Sequence, residues 1–282
     1  MAISEDIEGP PPHIRYRRAL HIRAALRELW AARTVMYSVA ERDLRSRYSQ
    51  MALGFAWDII GPVALTIVMT LFLSRATGIS TYGLPRPLFV YIGILPWSFF
   101  QGSVASGGGS LISNNSLLNK VYTPREIFPL ANVGEQAVDT LASSTAVLAL
   151  MMIFERAPKL TSLWLPIPML IVLLFTLAVT LVVSGLTVYF RDMRQAIPVA
   201  LQLGLFANPI FYDLRILSPN LRLLFAIVNP LSVAIDGIRR CVFYGQPPRL
   251  GLSAIAGAVA TAELILAYIV FKHMETGFAD VA

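Results

Sequence analysis

Leu160–Phe190 runs for 31 residues without a charged side chain. A bilayer core of roughly 30 Å is crossed by about 20 apolar residues in a helix, so this segment alone points to lipid. It has company. Leu88–Ile112 is uncharged, and so are the 18 residues of Gln195–Tyr212. Leu250–Phe271 carries one acid, Glu263, and Ala52–Leu73 carries one, Asp58. Thr140–Phe154 is shorter, at 15 residues, but reaches span length from Gln136. The sequence predicts an all-α integral membrane protein with six transmembrane helices. Charged residues make up 14 % of the chain, well under the roughly 25 % of an average soluble domain.

Charge placement sets the expected orientation. Six spans put both tails on one side. Residues 1–51 hold nine Arg and six acids, and that tail with the loops on its side carries 14 Lys/Arg against nine on the other. Basic residues favour the cytoplasmic side, so both termini are expected in the cytoplasm. The last outer segment is itself basic, with Arg215, Arg222, Arg239, Arg240 and Arg249. Lipid headgroups and this positive-inside bias account for the charge without nucleic acid. Residues 1–20 are polar and Pro-rich and lack the apolar core of a signal peptide, so the first span is expected to be retained. Cys241 is the single cysteine, and His13, His21 and His273 sit in the tails. No metal site follows from that set.

The chain divides into a disordered tail (1–18), an amphipathic interface helix (19–50), a six-span domain (51–274) and a C-terminal tail (275–282). In the interface helix Leu26, Leu29, Trp30, Met36, Tyr37, Ala40 and Leu44 recur near helical spacing. Gly61-Pro62 predicts a bend inside the first span. Pro96 and Gly107-Gly108-Gly109 predict an irregular or closely packed second span. Leu223–Ile235 is apolar for 13 residues and is interrupted by Asn229-Pro230. It is too short to cross and reads as short re-entrant helices on the outer side, before the last span.

The sequence has no Gly-x-x-x-x-Gly-Lys-Ser/Thr, so any ATP-driven step needs another chain. No Ser/His/Asp set is plausible with histidines confined to the tails. Glu135 and Asp139, spaced i, i+4, share a helix face. They read either as an ion or proton site or as acids at a helix N-terminus, where the dipole favours them. Glu263 must be protonated or paired; Arg75, Arg239 and Arg240 are the candidate partners. Asp236 with Arg239 and Arg240 reads as a helix-surface pair.

An ordered set of motifs then resembles a known family. Asp43-Leu44-Arg45-Ser46-Arg47-Tyr48, Leu53-Gly54-Phe55-Ala56-Trp57 and Gly61-Pro62 lead into the first span. Leu95-Pro96-Trp97-Ser98-Phe99-Phe100 lies in the second, followed by Lys120-Val121-Tyr122-Thr123-Pro124-Arg125-Glu126. Tyr189-Phe190-Arg191-Asp192, Asn208-Pro209-Ile210-Phe211-Tyr212 and Asn229-Pro230-Leu231 complete the series. Over about residues 26–272 the chain resembles permease subunits of ABC exporters for O-antigen, teichoic acid and capsular polysaccharide. It departs at Thr123, where that family usually has Phe, and at Asp58, where an uncharged run is usual.

The resemblance implies a homodimer bound to two copies of a separate ATPase, in the bacterial inner membrane, exporting a lipid-linked glycan. ATP and Mg would be bound by that partner, leaving no cofactor in this chain. Lys120, Val121, Tyr122, Pro124, Arg125 and Glu126 would form the ATPase-coupling element. Arg45, Arg47 and Tyr48 would meet the ATPase or the carrier's pyrophosphate, since Arg binds phosphate bidentately. Tyr91, Trp97, Phe99, Phe100, Phe206, Phe211 and Tyr212 are candidates for the glycan channel, because sugar faces stack on rings. The rival readings are a proton-coupled transporter using Asp139 or Glu263, an ABC exporter of lipid or drug, and a membrane scaffold or glycolipid enzyme.

Overall fold

The computed structural model describes residues 22–49, 54–75, 81–114, 117 and 123–278. Among them every regular element is helical. An N-terminal arm is formed by α1 (Ile22–Ala31) and α2 (Arg33–Ser49), interrupted at Ala32. Then come α3 (Ala56–Arg75), α4 (Arg86–Ser113) and α5 (Ile127–Ile153). A 3-10 turn at Leu160–Trp164 leads into α6 (Pro166–Tyr189), followed by α7 (Met193–Ala207). The last third holds α8 (Pro219–Val228), α9 (Pro230–Arg239) with its wide extension Arg240–Tyr244, and α10 (Leu250–Glu275).

Proline sets several starts. It occupies the first turn of α4, α6, α8 and α9, where the missing N–H has no helical partner anyway. Ser218 adds a side-chain cap to α8, accepting from Leu221 N at 3.4 Å. Gly245, with φ +63°, ends the wide turn after α9 in the left-handed region.

Among the described residues four helices are long and apolar enough to cross a membrane: α4, α5, α6 with its preceding turn, and α10. The pair formed by α8 and the Pro230–Tyr244 segment is bent by 115° and makes a fifth if taken as one broken span. The break falls at Asn229-Pro230, as expected from the sequence. The 18-residue run Gln195–Tyr212 is helical only as far as Ala207, the end of the 15-residue α7 that starts at Met193, about 22 Å at 1.5 Å per residue. Its end is Asn208, in extended backbone ahead of Pro209.

The third long helix starts at Ile127, nine residues before the Gln136 start read from the sequence. Glu135 and Asp139 are therefore interior to α5, buried at 1 % and 2 % exposure. They are not in the first turn, and the helix dipole does not account for them. Apolar run length ends a span at its first charge, whereas a paired charge can continue the helix.

α4 is the central helix, buried along Leu88–Ile94 and packed against α3, α5, α6 and α9. A Cβ on Gly107 would lie 2.4 Å from Thr180 Cγ2, and one on Gly108 would lie 2.8 Å from Val183 Cγ1. Two of the three consecutive glycines therefore let α4 and α6 approach closely; Gly109 faces open space. Met36, Val39 and Ala40 of α2 pack into a second cluster with Leu111, Phe128 and Phe271. Trp30 and Tyr37 project outward at 71 % exposure. Large apolar side chains also cover the outer faces of the spans, among them Leu141, Met152, Leu203 and Leu266. That is the surface of a multi-pass membrane protein.

Candidate functional site

The N-terminal arm is latched to the spans by a charge cluster. Arg47 forks between two acids of α5: Nη1 donates to Asp139 Oδ2 at 2.8 Å and Nη2 to Glu135 Oε2 at 3.1 Å. Tyr48 Oη lies 2.6 Å from Asp139 Oδ1 and 2.5 Å from Asp58 Oδ2, its one proton shared between two acceptors. Ser143 of α5 donates to the backbone of Asp58 at 2.7 Å. Three elements thus converge: α2 supplies the cation and the phenol, α3 one acid and α5 two. Burial works against the Arg47 charge, but Asp139 and Glu135 more than offset it and hold the guanidinium above its ordinary range. Burial, with the bonds to Asp139 and Asp58, pushes the Tyr48 phenol up as well. Asp58, the residue that departs from the family pattern, is a member of this cluster.

Arg45 is not. It pairs with Glu41 at 2.6 Å on the surface, with both side chains well exposed, an arrangement of little energetic weight. Arg42 reaches the end of α4 instead, donating to Asn114 Oδ1 at 2.7 Å.

Of the six residues expected to couple to an ATPase, Lys120, Val121 and Tyr122 lie outside the described residues. Arg125 and Glu126 are drawn toward the end of α10. Glu126 is fully buried, accepting from Lys272 Nζ at 2.8 Å and Tyr268 Oη at 3.1 Å. Arg125 donates to the Glu275 carbonyl at 3.3 Å, and its guanidinium stands 5.4 Å from the centre of the Phe278 ring. Pro124 is partly exposed beside them. Glu126 therefore fixes the base of this segment and presents no charge outward.

The expected channel aromatics divide. Trp97 and Phe100 line an apolar cavity of about 390 Å³ between α4, α6 and α7, and Phe100 stacks on Phe175 at 5.4 Å. Tyr91 is fully buried and donates to Ser143 O at 2.8 Å. Phe99 is buried in the core. Phe206 is 57 % exposed and tilts against Phe211 at 5.8 Å; Tyr212 is partly exposed and donates to Ala207 O. The structure does not bring all seven to one surface.

The two Asn-Pro motifs, 21 residues apart, meet at the mouth of that cavity. Asn229 Nδ2 donates to Asn208 Oδ1 at 2.9 Å, and Ser232 Oγ donates to the same oxygen at 3.2 Å. Behind them Arg239, 1 % exposed, donates to four backbone carbonyls: Pro209 at 2.5 Å, Ile210 at 2.7 Å, Phe89 at 3.1 Å and Tyr212 at 3.2 Å. It also lies 3.8 Å from the centre of the Phe89 ring. Arg239 thus pins the chain after α7 to α4 and does not serve Glu263. Asp236 is buried and pairs with Arg249 at 3.5 Å, which corrects the surface pairing with Arg239 and Arg240. Arg240 turns to the Pro247 carbonyl. Glu263 Oε2 is buried without a partner among the described residues.

The tightness of this pin gives a prediction. A Cβ on Gly93 would sit 2.6 Å from Arg239 Nη2 and 3.1 Å from the Ile210 Cα. Gly93→Ala is expected to destabilise the protein by about 2 kcal/mol through overpacking, read as a lower midpoint in thermal unfolding of the detergent-solubilised protein.

Sequence reasoning missed Asp58 and Lys272 as site members and misassigned Arg239. The signal for Lys272 was present, since a buried acid such as Glu126 needs a partner, but that partner lies 146 residues away in the chain; Asp58 enters through the Tyr48 hydroxyl, ten residues before it.

The family profile described as ABC-2 type transporter matches residues 34–243. The O-antigen export system permease protein RfbA of Myxococcus xanthus is 30 % identical over 259 residues, covering 90 % of this chain and 98 % of that protein. An O-antigen export permease RfbA of Klebsiella pneumoniae is 24 % identical, covering 86 % of this chain and 93 % of its own. The polysialic acid transport protein KpsM of Escherichia coli is 24 % identical, covering 72 % and 79 %. With its multi-pass helical fold and a match across most of its length, the chain belongs to the ABC-2 type transporter family and is a membrane-spanning permease.

Proposed function

We propose that the chain is the membrane subunit of an exporter that moves a lipid-linked polysaccharide out of the cytoplasm, driven by ATP hydrolysed on a separate subunit. One observation carries this reading: the similarity to an O-antigen export permease runs over nearly the full length of both proteins. Two permease copies pair with two ATPase copies in the bacterial inner membrane, with both termini in the cytoplasm. ATP and Mg belong to the ATPase. Six passes result if α3 and α7 cross together with α4, α5, α6 and α10, leaving the bent α8–α9 pair re-entrant on the outer side.

In this reading the segment from Asn114 to Phe128 docks on the ATPase, and its buried base at Glu126–Lys272 passes that contact into α10. Arg45, exposed beside the latch, meets the carrier's pyrophosphate or lipid headgroups. Trp97, Phe100, Phe206 and Phe211 border the path after α7. The engagement of Asp139 by Arg47 and Tyr48 supports a structural role for that acid over proton coupling.

Deleting the chain from a strain that makes such a glycan is expected to abolish its display at the cell surface and to leave it on its carrier inside. Normal display would contradict the reading. In the complex, Pro124→Ala with Arg125→Glu is expected to lower export about tenfold, the scale of a lost coupling free energy, while ATP hydrolysis continues. Export at the normal rate would remove the coupling role from this segment.

A further inference from the structure

The geometry points to a second cavity, on the α3–α4–α5 face, as a binding groove for the hydroxyl-rich chain of the exported glycan, with Gln101 and Gln136 as its hydrogen-bonding residues. The inference rests on the export reading. The groove has a volume of about 350 Å³, at the lower end of ligand-sized pockets, roughly 300–1,000 Å³. Its lining differs in kind from the apolar cavity beside α7. Trp57, Asp58, Ser98, Gln101, Gln136 and Thr140 all contribute.

Two observations carry the assignment. The first is depth. Gln101 is the sixteenth residue of the 28 in α4, yet it is exposed. A carboxamide at mid-span cannot face hydrocarbon without losing its hydrogen bonds, at a cost of several kcal/mol. This face is therefore turned toward water or a polar occupant.

The second is the state of the polar groups. Gln101 Oε1 accepts from Trp97 Nε1 at 2.7 Å, which fixes the amide and leaves its N–H₂ without a partner among the described residues. Gln136 is laid against Gly102, where a Cβ would meet its Oε1 at 2.1 Å. Its own carboxamide and the Ser98 hydroxyl likewise have no protein partner among the described residues. Gln101 is exposed as a residue, and neither the Gln136 carboxamide nor the Ser98 hydroxyl is sealed from solvent. The groove thus offers the fixed amide donor of Gln101, the open carboxamide of Gln136 and the Ser98 hydroxyl, with the 55 % exposed indole of Trp57 beside them.

Sugar hydroxyls both donate and accept, as carboxamides do, and the apolar face of a sugar ring packs on an indole. A second copy of this chain is the poorer occupant, since helix contacts in membranes favour small residues and satisfied polar pairs over a concave row of open amides. A lipid tail offers these amides nothing. Asp58 joins the groove to the latch, because it both lines the cavity and bonds Tyr48.

The test uses the complete transporter in membranes of a glycan-producing strain. A photo-crosslinking amino acid replaces Ala105, an exposed lining residue, and adducts are probed with a glycan-specific antibody. The expected product is this chain carrying the glycan, lost when glycan synthesis is blocked. A chain-to-chain adduct or a phospholipid adduct in its place would overturn the proposal. Alongside it, Gln101→Leu with Gln136→Leu is expected to lower surface glycan at least about tenfold, the scale of one or two lost hydrogen bonds, with the chain still recovered in its complex. Undiminished surface glycan in that variant overturns the groove alone, provided the deletion strain lacks it. If the deletion strain displays the glycan normally, the export reading fails and the groove's ligand falls with it.

Discussion

Arg47→Leu is expected to remove most of the folded protein from the membrane. The guanidinium is one-third exposed, but the acids it serves, Glu135 and Asp139, have side chains only 2 % exposed. Without it Asp139 keeps only the Tyr48 hydroxyl, and Glu135 keeps no donor among the described residues. Breaking a buried pair by removing one member costs about 3–5 kcal/mol, and partial exposure of Arg47 places this case at about 3 kcal/mol. That is a large share of the roughly 5–15 kcal/mol stabilising an ordinary domain. Yield of monodisperse protein in mild detergent measures it. Arg47→Leu combined with Glu135→Gln and Asp139→Asn is expected to recover much of the loss, because no uncompensated charge is left. If the single variant matches wild type, the latch contributes nothing and the arm is held by Met36, Val39 and Ala40 alone.

The second large effect is expected at Arg239. Its fork satisfies three carbonyls in the turn after α7, of Pro209, Ile210 and Tyr212, and reaches a fourth, of Phe89, within α4. Arg239→Met keeps the volume and orphans those acceptors. Each buried group left unpaired costs about 1–3 kcal/mol, and relaxation of the turn limits the total to about 4 kcal/mol. Arg239→Lys is expected to fall between wild type and Met, since an ammonium lacks the planar fork that reaches both sides. Thermal unfolding in detergent reads the order directly. A Lys variant as stable as wild type would show that charge alone suffices there.

Much of the architecture was legible in the sequence because lipid imposes a crude rule: long uncharged segments become helices that satisfy their own backbone. That rule located α4, α6 and α10 and the break at Asn229-Pro230. It failed where polar residues are paired by distant chain. α5 begins before its two acids because Arg47, 88 and 92 residues away, pairs with both. α7 is shorter than its apolar run because Asn208-Pro209 ends it. The site was legible by residue type more than by partner. The resemblance singles out Arg45, Arg47 and Tyr48 together, as contacts to the ATPase or the carrier's pyrophosphate; that Arg47 and Tyr48 grip Glu135, Asp139 and Asp58 while Arg45 pairs with Glu41 is a three-dimensional fact. Glu126 looked like a surface charge in its motif, and only the return of α10 buries it against Lys272. Gln101 and Gln136 carry no signal in a reading of uncharged runs, which counts both as uncharged.

The measurement that bears most directly on the central claim is recovery of the C-terminally tagged chain from native membranes in mild detergent. The account predicts a soluble partner in equal amount, bearing a phosphate-binding loop, in a complex of two permease and two ATPase chains. A chain recovered alone that still exports glycan would contradict it.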